Sequence, residues 1–226
     1  MKKPFILILI FSLTISAVPA QKERIRTIIF NSGISVPYSD FAKKTMVQDA
    51  GFAGVGMNIG IDYLSSKGRF LGFCASAGYT NMNFNKKAYK SEYERVMDDD
   101  GEITVTAGNY NFLKAVIGLT GKIPVHDNIQ LLVIPQVGGS FDIHPEIKVD
   151  HSRYGIINSI HQDHDWALIW NLGVKVNYKI SDKYGISLGY CLNSMLTAFY
   201  SNSPIVGTFF MPVRFQNINL GFILKL

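Results

Sequence analysis

Large apolar residues recur at every second position through several stretches of this chain. In "WALIWNLGVKVNY" they are Trp166, Leu168, Trp170, Leu172, Val174, Val176 and Tyr178, separated mostly by small or polar residues such as Asn171, Gly173, Lys175 and Asn177. A period of two describes an extended strand with one apolar face. The same alternation runs through "GFAGVGMNIGIDYL", with Ala53, Val55, Met57, Ile59, Ile61 and Tyr63 on the apolar face. It continues in "RFLGFCASAGYT" with Leu71, Phe73, Ala75, Ala77 and Tyr79, and in "YNFLKAVIGLTGKI" with Leu113, Ala115, Ile117, Leu119 and Ile123. "IQLLVIPQVGGSFDI" and "ISLGYCLNSMLTAF" repeat it, a weaker strand is expected over residues 27–36, and "FFMPVRFQNINLGFILKL" supplies the last.

These eight strands are separated by connections that alternate between long and short. "SSKG", "PVHDN" and "ISDKYG" are tight turns, whereas the other connections are long and polar and show no helix. The pattern predicts an all-β, eight-stranded antiparallel up-and-down transmembrane barrel with a filled polar interior, short turns at one rim and long loops at the other. The charge content decides which way the apolar face points. The minor face is rich in Gly, Ser and Asn and carries few charges, too few for a water-facing exterior. It therefore suits a crowded bore holding Asp62, Lys114, Asp142, Lys175 and Arg214, while the apolar face meets lipid. Thirteen residues rising ~3.3 Å each and tilted by roughly 45° span about 30 Å, the thickness of a bilayer core. Aromatic residues fall where the two interfaces would lie: Tyr79, Trp166, Trp170 and Phe209 toward the loops, and Tyr63, Tyr178 and Tyr184 toward the turns.

The first twenty residues read differently. "MKK", "FILILIFSLTI" and "AVPA" are the basic head, apolar core and small-residue end of a cleavable secretory signal. The expected organisation is a signal peptide over 1–20 and a barrel over 21–226, destined for the outer membrane. Charged residues make up only 17% of the chain, and mean hydropathy is +0.14. Losing Lys2 and Lys3 lowers the formal charge from +5 to +3, with the basic residues scattered, so nucleic acid is not a partner. Cys74 and Cys191 are too few for a disulfide framework and fall on opposite walls, so two free thiols are expected.

The stretches "GFAGVGMNIGIDY", "FCASAGYTNMNF", "NFLKAVIGLTGKIPVHDNIQLL", "DKYGISLGY" and "NINLGFILKL" resemble the small outer-membrane β-barrel proteins of Gram-negative bacteria, in particular the outer membrane protein β-barrel domain family. The resemblance covers nearly the whole chain after residue 20. It implies a fold and a location and brings no catalytic residues. The implied partners are outer-membrane lipids, lipopolysaccharide and the barrel-assembly machinery.

No catalytic, cofactor or metal residue is assigned. The glycines of "GFAGVGMNIG" lie inside a continuing strand, not at the opening of a helix, so they do not form a dinucleotide loop. In "DDDGE", with Gly101 at the sixth position of a calcium loop, Val96 and Ala107 occupy the first and twelfth, and neither offers a side-chain oxygen. Four of the five histidines, His144, His151, His161 and His164, fall near Asp163 and Asp165 in one loop, but in extended backbone they do not share a face. Ser152 beside His151 is the nearest approach to a hydrolase pair. The sequence therefore points to a structural or surface-interaction barrel with no open pore. A lipid-modifying enzyme and a narrow channel are the alternatives. The final strand poses one further problem. Its apolar face is odd-numbered through Phe215 and even-numbered from Ile218, which predicts a β-bulge at Gln216 and Asn217; the alternative is a strand that begins only near Gln216, with "FFMPVRF" and its Pro212 in the preceding loop.

Overall fold

The computed structural model describes residues 25–46, 50–68, 70–97, 100–195, 199–203, 207–211 and 213–226. The expected signal segment lies outside these residues. The strands are β1 (Ile25–Pro37), β2 (Ala53–Ser66), β3 (Leu71–Phe84), β4 (Ile103–Ala107), β5 (Asn109–His126), β6 (Ile129–Ile143), β7 (Ile147–His151), β8 (Gly155–Ile160), β9 (His164–Lys179), β10 (Tyr184–Met195), β11 (Phe199–Ser203), β12 (Gly207–Met211) and β13 (Arg214–Lys225). Eight of them close a barrel in the order β1-β13-β10-β9-β6-β5-β3-β2, every pair antiparallel. β4, β7 and β8 form a separate three-stranded sheet, and β11 and β12 form a hairpin.

Alternation sets the facing. In β9, Leu168, Leu172, Val174, Val176 and Tyr178 are exposed, while Asn171, Gly173, Lys175 and Asn177 between them are buried. The same holds around the wall, where Met57, Ile117, Leu188 and Leu220 stand on an outer surface that no other element covers. No helix among the described residues is long and apolar enough to cross a membrane. The chain spans the bilayer with strands, whose backbone groups pair around a closed ring and leave no edge in lipid. Aromatic residues mark both rims. Trp166 is exposed 5.0 Å from the Phe141 ring at the loop end, and Tyr184 stacks on Phe222 at 5.8 Å at the turn end. The side chain of Phe209 lies outside the described residues.

The structure corrects the sequence reading in four places. First, the connection between β3 and β5 is not wholly loop. It holds a helix, α1 (Lys86–Met97), and the strand β4. Tyr89 and Tyr93, four residues apart, share the buried face of α1, and Asn85 caps its start by accepting the Ala88 N–H at 3.0 Å. Second, Ala53 is buried. A register shift between Ala53 and Gly56 turns it away from the lipid face that Val55 and Met57 share. Third, the bulge predicted at Gln216 and Asn217 is absent. β13 pairs without interruption from Phe215 onward with both β1 and β10. Alternation is strict, and it carries Val213 and Phe215 inward, where both are completely buried. Fourth, the same parity places Arg214 away from the bore, at the loop rim, where its guanidinium donates to Ser39 Oγ at 3.5 Å.

Candidate functional site

The interior is built in three layers, and the polar one expected from the sequence is the middle layer. At the turn end, Ile29, Leu64, Cys74, Leu132, Ile134 and Ile223 form an apolar cluster across the bore. Above it, polar side chains tie opposite walls together. Lys175 on β9 donates to Asp62 Oδ2 on β2, four strands away around the ring. Asn31 braces both, donating to Asp62 Oδ2 at 2.6 Å and accepting from Lys175 Nζ at 3.2 Å. Lys114 reaches from β5 to Asn193 Oδ1 on β10 at 2.7 Å, and Gln136 donates to Ser76 Oγ at 2.7 Å. The cavity left among these groups measures about 50 Å³. Thr80 Oγ1, Asn171 Oδ1 and Asn219 Oδ1 border it, buried and without a protein hydrogen-bond partner, and it is large enough to hydrate them. Cys74 and Cys191 both point inward as free thiols from walls four strands apart.

The third layer closes the mouth. The first long loop makes a 3₁₀ turn at Ser39–Ala42 that drops Phe41 into the barrel opening. Its ring meets Tyr110 edge-on at 5.0 Å and Phe112 at 6.0 Å, and Phe112 stacks on Phe215 at 5.4 Å. This is why an inward Phe215 is tolerated. Its ring lies at the base of an aromatic core, with Lys114 Nζ 5.9 Å from its centroid. Phe52, Phe84, Tyr89 and Tyr93 extend the core outward in a chain of ring contacts. The β4-β7-β8 sheet covers it through Ile103, Ile147 and Val149, and Asn158 on β8 donates to the Tyr93 hydroxyl. Burial among these rings raises the Tyr89 hydroxyl above its ordinary range, with the Tyr93 hydroxyl adding to the effect. The long loops thus fold into a cap with its own core.

The histidine-rich loop becomes part of this cap, and the structure disperses its chemistry. His151 ends β7, buried, with its ring stacked on Tyr154 at 4.7 Å and its Nδ1 accepting the Arg153 N–H at 3.2 Å. Gly101 lies so close over this ring that an added Cβ would meet Cε1 at 1.9 Å. Ser152 turns to another partner. Its Oγ accepts the Glu102 N–H at 3.0 Å, which secures the turn between β7 and β8. Both residues thus help hold the small sheet together. His161 and His164 are exposed, and no group of three or more metal-ligating side chains occurs among the described residues. Asp98 and Asp99 of the acidic "DDDGE" run lie outside the described residues.

His144, in the loop after β6, packs edge-on to Tyr110 at 5.9 Å. Burial depresses its imidazole to about 4 from the ordinary 6.5, against the opposing pull of Asp163 and Asp165. The unfolded loop takes up this proton near pH 6.5 and the folded loop only near 4. The folded state therefore binds fewer protons in between, and stability present above pH 6.5 is lost as pH falls toward 4. Hydrogen exchange of the Tyr110 and Ile147 amides is expected to accelerate through this window in the wild type. In His144→Phe it should change much less. The same acceleration in both proteins would assign the effect to other groups.

No protein-family model and no curated protein matches the chain. Solved structures do. A major outer membrane protein from Thermus thermophilus aligns at TM-score 0.51 and 10% identity over 91% of this chain and 100% of its own. The attachment invasion locus protein Ail of Yersinia pestis aligns at TM-score 0.49 with the same identity and coverage, and Neisserial surface protein A at 0.45, again at 10% identity over 91% and 100%. At such identity the likeness concerns architecture alone. With the lipid-facing exterior and closed ring described above, the likeness to the Thermus protein leads to one conclusion: the chain has the fold of the small eight-stranded outer-membrane β-barrels.

Proposed function

We propose that this is an outer-membrane surface protein whose barrel is an anchor closed to solutes and whose folded loops present a platform to an extracellular partner. The role is structural or interactive, not catalytic. The aromatic core at the mouth carries this reading. Phe41, Phe112 and Phe215 fill the level at which a channel would have to open, and the Lys175–Asp62 pair and the apolar cluster cross the bore below them. A pore-forming barrel is instead polar and wide along its whole length. The cap surface carries ion pairs between Lys90 and Glu94 and between Arg95 and Glu92, together with exposed Tyr154 and Ile156, a mixed surface suited to recognition. The loop-side aromatics, Trp166 among them, would meet the outer leaflet and its lipopolysaccharide, and insertion would depend on the barrel-assembly machinery.

Planar-bilayer recording tests the closed bore. The purified protein is expected to insert without discrete conductance steps. Steps of constant size, abolished by crosslinking the first long loop to β13, would establish a channel and overturn the reading.

A further inference from the structure

Charge is distributed unequally between the two rims. Among the described residues the loop end carries as many acidic as basic side chains. The turn end carries Arg26, Lys67, Lys122, Lys179, Lys183 and Lys225 against Asp127 and Asp182. Lys179 is paired with Asp182 at 2.5 Å, and Lys122 turns into the bore to donate to Ser66 Oγ at 2.6 Å. Arg26 and Lys67 are exposed and make no ion pair among the described residues. They are neighbours, because Arg26 pairs with Ser65 and Lys67 opens the turn one residue beyond Ser66.

A groove begins just above them on the lipid face. The row over Arg26 runs Ile28, Tyr63, Ala75, Ile117 across β1, β2, β3 and β5, and the next row includes Ile61, Ala77 and Ala115. The alanines stand below the isoleucines and the tyrosine on either side. The result is a groove of about 510 Å³ with an almost wholly apolar lining. Adjacent strands are ~4.8 Å apart and residues on one face repeat every ~7 Å, so the cations lie on the order of 10–13 Å from the centre of the groove.

We propose that the groove and the Arg26–Lys67 pair together hold one anionic phospholipid of the turn-side leaflet. An acyl chain lies along Ala75 and Ala77, and the headgroup phosphate sits against the guanidinium and the ammonium. The occupant follows from charge complementarity. A groove open to lipid admits any chain, but two exposed cations at its interfacial end, without an ion pair among the described residues, select a phosphate that carries net negative charge. The guanidinium offers a planar pair of donors to that phosphate, and the half-buried Tyr63, which lines the groove, places its ring at the interface between head and chain. The proposal requires only that this wall face lipid and is independent of what the cap binds.

The test uses the full chain reconstituted in phosphatidylethanolamine vesicles containing a minority of phosphatidylglycerol. After extraction in mild detergent, the retained lipid is quantified by mass spectrometry, and folding is verified for each variant by heat-modifiable migration. The wild type is expected to retain one phosphatidylglycerol per chain. The variant Arg26→Gln with Lys67→Gln should lower that retention roughly thirtyfold, the loss expected for two interfacial cations. Ala77→Phe should lower it with both cations in place, and Lys86→Gln with Lys87→Gln, at the loop end, should leave it unchanged. Retention that survives the Arg26 and Lys67 changes, or that is indifferent to Ala77→Phe, would overturn the proposal. So would release of the lipid by inorganic phosphate at an ionic strength where chloride has no effect, because the site would then read free phosphate and not a lipid.

Discussion

Replacing Lys175 by methionine is expected to destabilise the barrel by about 3–5 kcal/mol, the usual result of removing one member of a buried ion pair. Methionine nearly preserves the length and apolar stem of the lysine, so the change isolates the charge. What remains is Asp62 in the middle of the bore, with the Asn31 amide at 2.6 Å and the Ser76 hydroxyl as neutral donors. Both side chains of the pair are nearly enclosed, with relative exposures of 8% for Lys175 and 12% for Asp62, so solvent screening offers little relief. The same physics predicts a rescue. Asp62→Asn in the Lys175→Met background removes the orphaned charge and keeps a hydrogen-bonding partner for Asn31. The double variant should therefore recover most of the loss. Denaturant unfolding in lipid vesicles of the four proteins forms a double-mutant cycle. Additive effects, or a single-variant cost under about 1 kcal/mol, would show that the pair does not brace the bore.

That cross-bore pair was half legible in the sequence. Alternation alone turns Asp62 and Lys175 inward, because a strand facing lipid on one side must place every other residue inside. Nothing local says that strands so distant in the chain are opposite one another, since that depends on how many strands close the ring. The cap was less legible for a different reason. A period of two was the signal that organised the chain, and "NKKAYKSEYERVM" does not follow it. Its helical marks are an Asn cap and tyrosines four apart, too short a pattern to dominate a polar segment. "ITVTA" and "IKVDH" alternate, but over five residues each they are brief enough to pass for loop. The β13 error has the most instructive cause. The expected bulge assumed that an apolar residue turned inward would face water. Phe215 turns inward and meets Phe112, in a core that exists only because the loops fold back over the mouth. The final strand obeys strict alternation, and its environment changes along its length.

The lipid-facing wall carries the second large expected effect. Val174 lies in the middle of β9 with its side chain outward, between Leu172 and Val176 on the same face and beside Val133 and Tyr190 on the flanking strands. Arginine there should cost roughly 2–4 kcal/mol in a bilayer, the cost at the midplane of a transmembrane barrel, falling toward zero at the rims. Depth provides the internal control. Tyr178→Arg on the same face of the same strand lies at the turn-side interface, where a long cationic side chain can reach the headgroups, so its cost should be small. Solvent provides another. In a soluble barrel of the same shape, this outer face would meet water and Val174→Arg would be neutral or mildly favourable. The experiment is reversible unfolding of wild type, Val174→Arg and Tyr178→Arg in vesicles of one lipid. A depth-dependent penalty confirms that the apolar face of "WALIWNLGVKVNY" touches lipid. Equal and negligible effects at both positions would mean that the exterior does not face lipid, and the groove over Ala75 and Ala77 would then hold no phospholipid.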